Sequence, residues 1–319
     1  MSEFVFAIGI DLGGTNIVAS AVTPEGRLLS KVSCKTSCPR PYQEICEDMA
    51  RLAEEAATQA GFSLETASYI GIGSPGLVNK DTGVVEYANN LGFHDAPIAD
   101  EIKKRTGRPV YLENDANAAA LGEYKVGAGR GTQYMIAVTL GTGVGSGIII
   151  DGKIYSGFNF AGAEIGHTVI HKNGYPCTCG MHGCLEAYTS ATALIRLTKE
   201  QMNAHPESLL WKLVDGDLNN VNGKTAFDGL RAGDATATAI IEEYTTDLGI
   251  GFTNIINIFQ PEVLCVGGGI CHEGDTLLDP VRAYVDRYQY ARASKNKTKI
   301  IPATLGNDAG IIGAGLLGF

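Results

Sequence analysis

The same order of short segments occurs twice in this chain. Residues 4–10 form an apolar run, Asp11-Leu-Gly-Gly-Thr-Asn16 breaks it, and residues 17–23 resume a β pattern. Pro24-Glu-Gly26 then turns the chain into a third run at residues 27–33. Residues 135–140 are again apolar, and Gly141-Thr-Gly-Val-Gly145 is a glycine-rich turn. Residues 146–150 are β-like, Asp151-Gly152 is a hairpin turn, and residues 153–155 close the series. Tight turns between β runs make an antiparallel meander. Two meanders of one order point to an internal duplication, and so to a fold of two related halves. The length of 319 residues agrees, because a single core of that size is uncommon. Two lobes facing each other would aim both glycine turns at one cleft.

The remaining segments mix helix and strand. Ile45, Met49, Leu52, Ala53 and Ala56 recur at helical spacing within residues 41–60, and Gly61 supplies a stop. Residues 69–73 read as a strand that runs into Ser74-Pro-Gly76. Residues 109–113 read as another, ending at Asn114-Asp115 before an alanine-rich helix at residues 116–124. Residues 187–259 are mainly helical, with a polar, glycine-containing loop expected at 216–233. A strand at residues 263–266 ends in Gly267-Gly-Gly269, a last strand covers 298–303, and a small-residue helix covers 310–317.

Composition excludes several classes. Hydrophobic residues make up 45% and charged residues 19%, an ordinary globular balance. The formal net charge of −10 disfavours nucleic acid and anionic membrane surfaces as partners. The opening Met-Ser-Glu-Phe-Val-Phe-Ala lacks a basic region and a cleavage site, so it reads as strand and not as a signal peptide. No apolar run is long enough to span a bilayer. Eight cysteines are too few for a disulfide scaffold of this length, and three of them cluster, which suits metal binding in the cytoplasm.

That cluster lies between Glu164 and Glu186, a segment with three cysteines, three histidines, two acids and four glycines. His167, Cys177, Cys179 and Cys184 follow the pattern H-x9-C-x-C-x4-C. Three thiolates and one imidazole complete a tetrahedral Zn²⁺ shell with no open position, so such a zinc is structural. His171 and His182 are rival fourth ligands that spacing does not separate. Glu164 and Glu186 flank the staple; the ordinary alternative for each is a solvated acid.

The two glycine turns suit phosphate. Glycine lets backbone N–H groups come close to an anion, and threonine adds a hydroxyl donor. That makes Gly13, Gly14, Thr15 and Asn16, with Gly141, Thr142 and Gly143, candidates for nucleotide phosphate. Asp11 is a candidate for Mg²⁺, which prefers a carboxylate together with phosphate oxygens. Asp115 stands where a strand passes into a helix. It is either the helix N-cap or a general base that takes a proton from a sugar hydroxyl. Asn114 beside it could hold neighbouring hydroxyls.

These motifs, D-L-G-G-T-N at 11–16, E-N-D-A-N-A-A at 113–119, L-G-T-G-V-G at 140–145, E-I-G-H at 164–167, C-T-C-G-M-H-G-C-L-E at 177–186 and V-G-G-G at 266–269, together resemble the ROK family of sugar kinases. The segment from Glu164 to Glu186 is most similar to its bacterial glucokinase branch. The resemblance implies a two-lobed α/β fold of the actin-like, hexokinase (ribonuclease H-like) type. Its small lobe would comprise residues 1–115 plus 302–319, and its large lobe residues 116–301 with the zinc-binding loop at 164–186. It implies ATP-dependent phosphorylation of a hexose 6-hydroxyl, with Mg²⁺, structural Zn²⁺ and a homodimer. Asp115 matches the base. Gly76, Asn89, Asn90, Asn114, Glu164, His167 and Glu186 match sugar ligands, and Gly267, Gly268 and Gly269 fall where adenosine packs. Relatives often carry a Lys or Arg after the first turn, whereas Ile17 and Val18 stand here. An N-acetylglucosamine, N-acetylmannosamine or mannose kinase is the alternative within the family, and a non-catalytic sugar sensor the alternative outside enzymes.

Overall fold

The computed structural model describes residues 5–319, so Phe4 of the first expected strand and the start of the N-terminal reading lie outside it. In chain order its elements begin with β1 (Ala7–Leu12), β2 (Asn16–Val22), β3 (Val32–Lys35), α1 (Tyr42–Gln59) and β4 (Ile70–Ser74). Next come β5 (Leu77–Asn79), β6 (Val84–Ala88), β7 (Phe93–Ala96), α2 (Ile98–Thr106), β8 (Val110–Asn114) and α3 (Asp115–Val126). They continue as β9 (Met135–Leu140), β10 (Val144–Ile150), β11 (Lys153–Ile154), α4 (Glu186–Thr189), α5 (Ala191–Ala204), α6 (Leu210–Leu213), α7 (Thr225–Arg231) and α8 (Ala235–Phe259). Then follow β12 (Val263–Gly267), α9 (Asp275–Tyr288), β13 (Lys299–Pro302) and α10 (Ala309–Gly315).

The duplication is visible in strand order. One five-stranded sheet runs β3-β2-β1-β4-β8 and the other β11-β10-β9-β12-β13. Each is a meander followed by two later strands. In the first, β1 pairs antiparallel with β2 and parallel with β4, and β4 pairs parallel with β8. The third expected strand, at 27–33, forms later than its pattern indicated: Leu28 makes an isolated bridge to Val22, and the paired strand is β3.

The chain divides into two compact units. The first takes in residues through Ala137, Gly147–Ala163 and Ala303–Phe319; the second is Val138–Ser146 with Glu164–Pro302. Unlike the expected small lobe of 1–115 plus 302–319, the first unit includes α3, and packing supplies the reason. Side chains alternate along β1. Ile8, Ile10 and Leu12 are fully buried in one core with Ile45, Met49, Leu52 and Ala56 of α1. On the opposite face β1 and β4 present glycine, and α10 lies against the bare backbone. A Cβ at Gly9 would sit 2.2 Å from the Ile311 carbonyl oxygen, and one at Gly71 1.8 Å from that of Ala314. The same helix meets α3 as closely, since a Cβ at Gly313 would lie 1.7 Å from the Ala118 carbonyl oxygen. Sheet, α10 and α3 therefore form one packed stack.

Two features depart from the sequence reading. Residues 77–96, which carry no long period, form a separate antiparallel sheet β5-β6-β7. The expected loop at 216–233 contains α7, whose Ala226 and Phe227 are fully buried. No helix among the described residues is long and apolar enough to cross a membrane.

Candidate active site

In the first unit, the parallel strands β1, β4 and β8 end in register. Asp11 lies opposite Gly73, Gly73 opposite Glu113, and Ser74 opposite Asn114. Their carboxyl ends thus deliver Asp11, the Ser74-Pro75-Gly76 turn and Asn114-Asp115. Gly73 lets α3 start close by, because a Cβ there would already lie 3.2 Å from the Ala118 Cβ and 3.5 Å from the Asp115 Cα.

The cap of α3 is Asn114, not Asp115. Its Oδ1 accepts from the N–H groups of Ala116 at 2.9 Å and Asn117 at 3.2 Å, and its Nδ2 donates to the Gly76 carbonyl at 3.2 Å. Asp115 is the first residue of the helix, with Oδ1 accepting from the Ala116 N–H at 2.9 Å. Burial raises the Asp115 carboxyl pKa above the ordinary range, against the lowering effect of its backbone hydrogen bonds. Asp11 is raised to about 6, first by burial and then by repulsion from the Asp115 charge. Two neighbouring carboxylates with raised pKa values suit proton transfer and cation binding. Glu113, to which the sequence reading gave no role, is 3% exposed and accepts from Asn117 Nδ2 at 3.0 Å. Its signal was its place in the E-N-D-A-N run.

The first glycine turn closes through Gly13 N–H to the Asn16 carbonyl at 2.9 Å and is braced by the Thr36 hydroxyl donating to the Gly13 carbonyl at 2.6 Å. Gly14, Thr15 and Asn16 are exposed. Asn90 flanks this turn, its Nδ2 lying 3.3 Å from where a Gly14 Cβ would stand. Asn89 accepts from the Tyr87 hydroxyl at 3.2 Å.

In the second unit, the turn between β9 and β10 closes through Gly141 N–H to the Gly143 carbonyl at 3.0 Å. It is tied to α5 by Ala191 N–H to the Gly141 carbonyl and by the Thr192 hydroxyl to the Thr142 carbonyl, both at 2.8 Å. Glu186 Oε2 accepts from the Val144 N–H at 2.9 Å, and a Cβ at Gly143 would collide with that oxygen at 2.4 Å. Gly268, at φ 91°, lets the following turn Gly269–Glu273 approach β9; a Cβ there would be 2.3 Å from the Leu140 carbonyl oxygen. Gly267 ends β12.

A cavity of about 500 Å³ opens beside this turn. Leu140, Gly141, Thr142, Gly269 and Ile270 line it. So do Asn222, Gly223, Lys224 and Glu273, which the sequence reading did not single out, because residues 216–233 read only as a polar loop.

The cysteine segment folds on itself through bridges Val169 to Cys184 and Pro176 to His182, with Cys177 N–H donating to the Met181 carbonyl at 2.8 Å. Ligand atoms of His167, Cys177, Cys179 and Cys184 all lie within 4.8 Å of one another. Cys177 Sγ is 3.5 Å from His167 Nδ1, and Cys179 Sγ is 3.7 Å from Cys184 Sγ. A tetrahedral zinc with Zn–S of about 2.3 Å needs sulfurs about 3.8 Å apart, so these residues fit that ion. Of the rivals, His171 is engaged elsewhere, with Nε2 2.7 Å from Asp247 Oδ1, and His182 is exposed outside the group. Glu164 precedes the short 3-10 turn Ile165–His167 and is exposed.

A fold of this strand order, with paired glycine turns and a Cys/His cluster, defines a class that comparison with known proteins makes specific. The chain belongs to the ROK family, which it matches over residues 7–318. It is 39% identical to a glucokinase of Thermotoga maritima over 308 residues, 96% of this chain and 95% of that protein. It is equally 39% identical to a glucokinase of Halalkalibacterium halodurans over 312 residues, 97% of this chain and 94% of that protein. Among solved structures, it superposes with a TM-score of 0.80 on a ROK family glucokinase from Streptomyces griseus in complex with glucose and AMPPNP. That match has 37% identity and covers 97% of this chain and 98% of the other. The fold is therefore the two-lobed α/β fold of the ROK sugar kinases.

Proposed function

We propose that this protein is a glucokinase, which transfers the γ-phosphoryl group of ATP to the 6-hydroxyl of glucose. The observation that carries the reading is Asp115, a burial-shifted carboxylate set at the carboxyl end of β8 and relieved of capping by Asn114. The near-full-length likeness to glucokinases supports the choice of reaction and of sugar.

In this reading the Asp115 carboxylate accepts the proton of the 6-hydroxyl as that oxygen attacks the γ-phosphorus. The new O–P bond forms, the bond to the β,γ-bridging oxygen breaks, and ADP leaves with that electron pair. Gly14, Thr15, Thr142 and Gly143 donate to phosphate oxygens through backbone N–H groups and threonine hydroxyls, while Gly13, Asn16 and Gly141 close the two turns. Mg²⁺ supplied with ATP offsets phosphate charge, and Asp11 is the carboxylate assigned to it. Gly268 and Gly269 belong to the adenosine subsite, with Gly267 behind them. Asn114 and Gly76, joined by a hydrogen bond, border the sugar together with Asn89, Asn90, Glu164, His167 and Glu186.

Zn²⁺ held by His167, Cys177, Cys179 and Cys184 would supply no chemistry of its own; it would fix the segment that carries the sugar ligands. His167 faces Cys177 through Nδ1, which leaves Nε2 for a sugar hydroxyl. We further infer a cytoplasmic homodimer, which light scattering on the purified protein tests.

A coupled assay of ADP release across glucose, mannose and the N-acetylhexosamines tests the reading. Fastest turnover with glucose is expected. Preference for an acetamido sugar would move the protein to the family's alternative, and no ATP consumption with any hexose would make it a sensor.

A further inference from the structure

We propose that the Lys224 ammonium binds the phosphate groups of the nucleotide, so that the second-unit cavity favours nucleoside di- and triphosphates over nucleosides. The inference rests on the kinase reading above and adds a residue to it. Neither glycine turn carries a cation in its own motif: Ile17 and Val18 follow the first, and Val144 and Gly145 complete the second. Mg²⁺ offsets only part of a nucleotide's charge, and the remainder would meet a protein whose formal net charge is already −10.

The cavity lining is of two kinds. Leu140, Ala191 and Ile270 are apolar and suit a base, whereas Thr142 and Lys224 offer donors. Its one acid, Glu273, is held by Arg231 Nη1 at 2.5 Å with its side chain 9% exposed, so its charge is already neutralised. Among the described residues the Lys224 ammonium has neither a hydrogen bond nor an ion pair, which leaves Lys224 as the uncompensated charge of the lining. The backbone that carries it is fixed. Lys224 N–H donates to Asn222 Oδ1 at 2.9 Å, Asn222 N–H donates to the Thr225 hydroxyl oxygen at 3.0 Å, and the Lys224 carbonyl accepts from Asp228 N–H at 2.8 Å. The Arg231–Glu273 pair then ties α7 to the Gly269–Glu273 turn, so two walls of the cavity are linked around the lysine. A lysine ammonium is a compact point charge that can follow phosphate oxygens as they shift.

The test is calorimetric titration of the full-length protein, Lys224→Ala and Lys224→Arg with ADP and with adenosine, backed by steady-state kinetics. Lys224→Ala is expected to weaken ADP about tenfold, the scale of one charge-assisted contact. Adenosine affinity should not change, Lys224→Arg should retain ADP binding, and KM for ATP should rise about tenfold while KM for glucose does not. Unchanged ADP affinity in a Lys224→Ala protein whose wild type phosphorylates glucose overturns the assignment and leaves the kinase reading standing. Equal losses for ADP and adenosine also overturn it, because the lysine would then act on the base or on the cavity wall. A wild-type protein that binds neither ligand and transfers no phosphate overturns both readings.

Discussion

Glu186 holds Val144: its Oε2 accepts the Val144 N–H at 2.9 Å, so the first residue of α4 fixes the first residue of β10. Its other oxygen lies 3.4 Å from the Thr178 hydroxyl and 4.0 Å from Cys177 Sγ. One carboxylate therefore connects the second glycine turn to the cysteine segment. Anything that shifts the cysteines reaches the turn through this side chain.

Glu186→Ala should expose that coupling. It leaves the Val144 N–H without its acceptor, at a loss of about 1–3 kcal/mol. Denaturant unfolding should show the loss, and hydrogen exchange should quicken at Val144 and its neighbours. Unaltered exchange there would mean that the carboxylate braces nothing.

Metal analysis of the purified protein should find about one zinc per chain. Chelation, or Cys177→Ala, should lower thermal stability and weaken glucose binding, because the staple is the main order in a segment with little hydrophobic core of its own. A metal-free preparation of full stability and activity would remove zinc from the account.

The Asp11 carboxyl gives the pH dependence its sign. Its folded pKa of about 6 lies above the ordinary 3.8, so the folded state binds the proton more tightly than the unfolded one. That stabilisation is complete below the unfolded value and is lost as pH rises through about 6. Without Mg²⁺ or nucleotide, Asp11→Asn should thus gain on wild type between pH 5 and 7. The shift sets a ceiling of about 3 kcal/mol, and partial exposure brings the expected gain to about 1–2 kcal/mol. Parallel unfolding curves at both pH values would contradict the burial of this charge.

Gly71→Ala should be severely destabilising although alanine is the smallest change available. The new methyl would stand 1.8 Å from the Ala314 carbonyl oxygen, which is backbone and cannot step aside. A loss of about 3 kcal/mol or more is expected, visible as poor soluble yield and a lowered unfolding midpoint.

Much of this was legible in the sequence, for identifiable reasons. The duplicated meander was visible because glycine turns interrupt apolar runs at matching places, and the cysteine ligands because three cysteines fall within eight residues, whereas spacing left the fourth ligand open between His167, His171 and His182. The β5-β6-β7 sheet was not legible, since its strands have only three to five residues and show no sustained alternation. The glycines at 9, 71 and 313 carry no local signal of their purpose; only their close approach to other backbones explains them. Asn114 and Asp115 could each have capped α3, and sequence cannot show which side chain folds back. Lys224 stayed hidden because nothing local marks a loop lysine as facing a cavity whose lining includes Leu140, Gly141 and Thr142, more than eighty positions earlier.

The most direct measurement is glucose phosphorylation by Asp115→Asn beside the wild type, with glucose binding followed in the same samples. The asparagine keeps shape and removes the proton acceptor. The prediction is a fall in kcat of about 10²–10⁴-fold with glucose affinity retained. Turnover within about twofold of wild type would contradict a general base at this position.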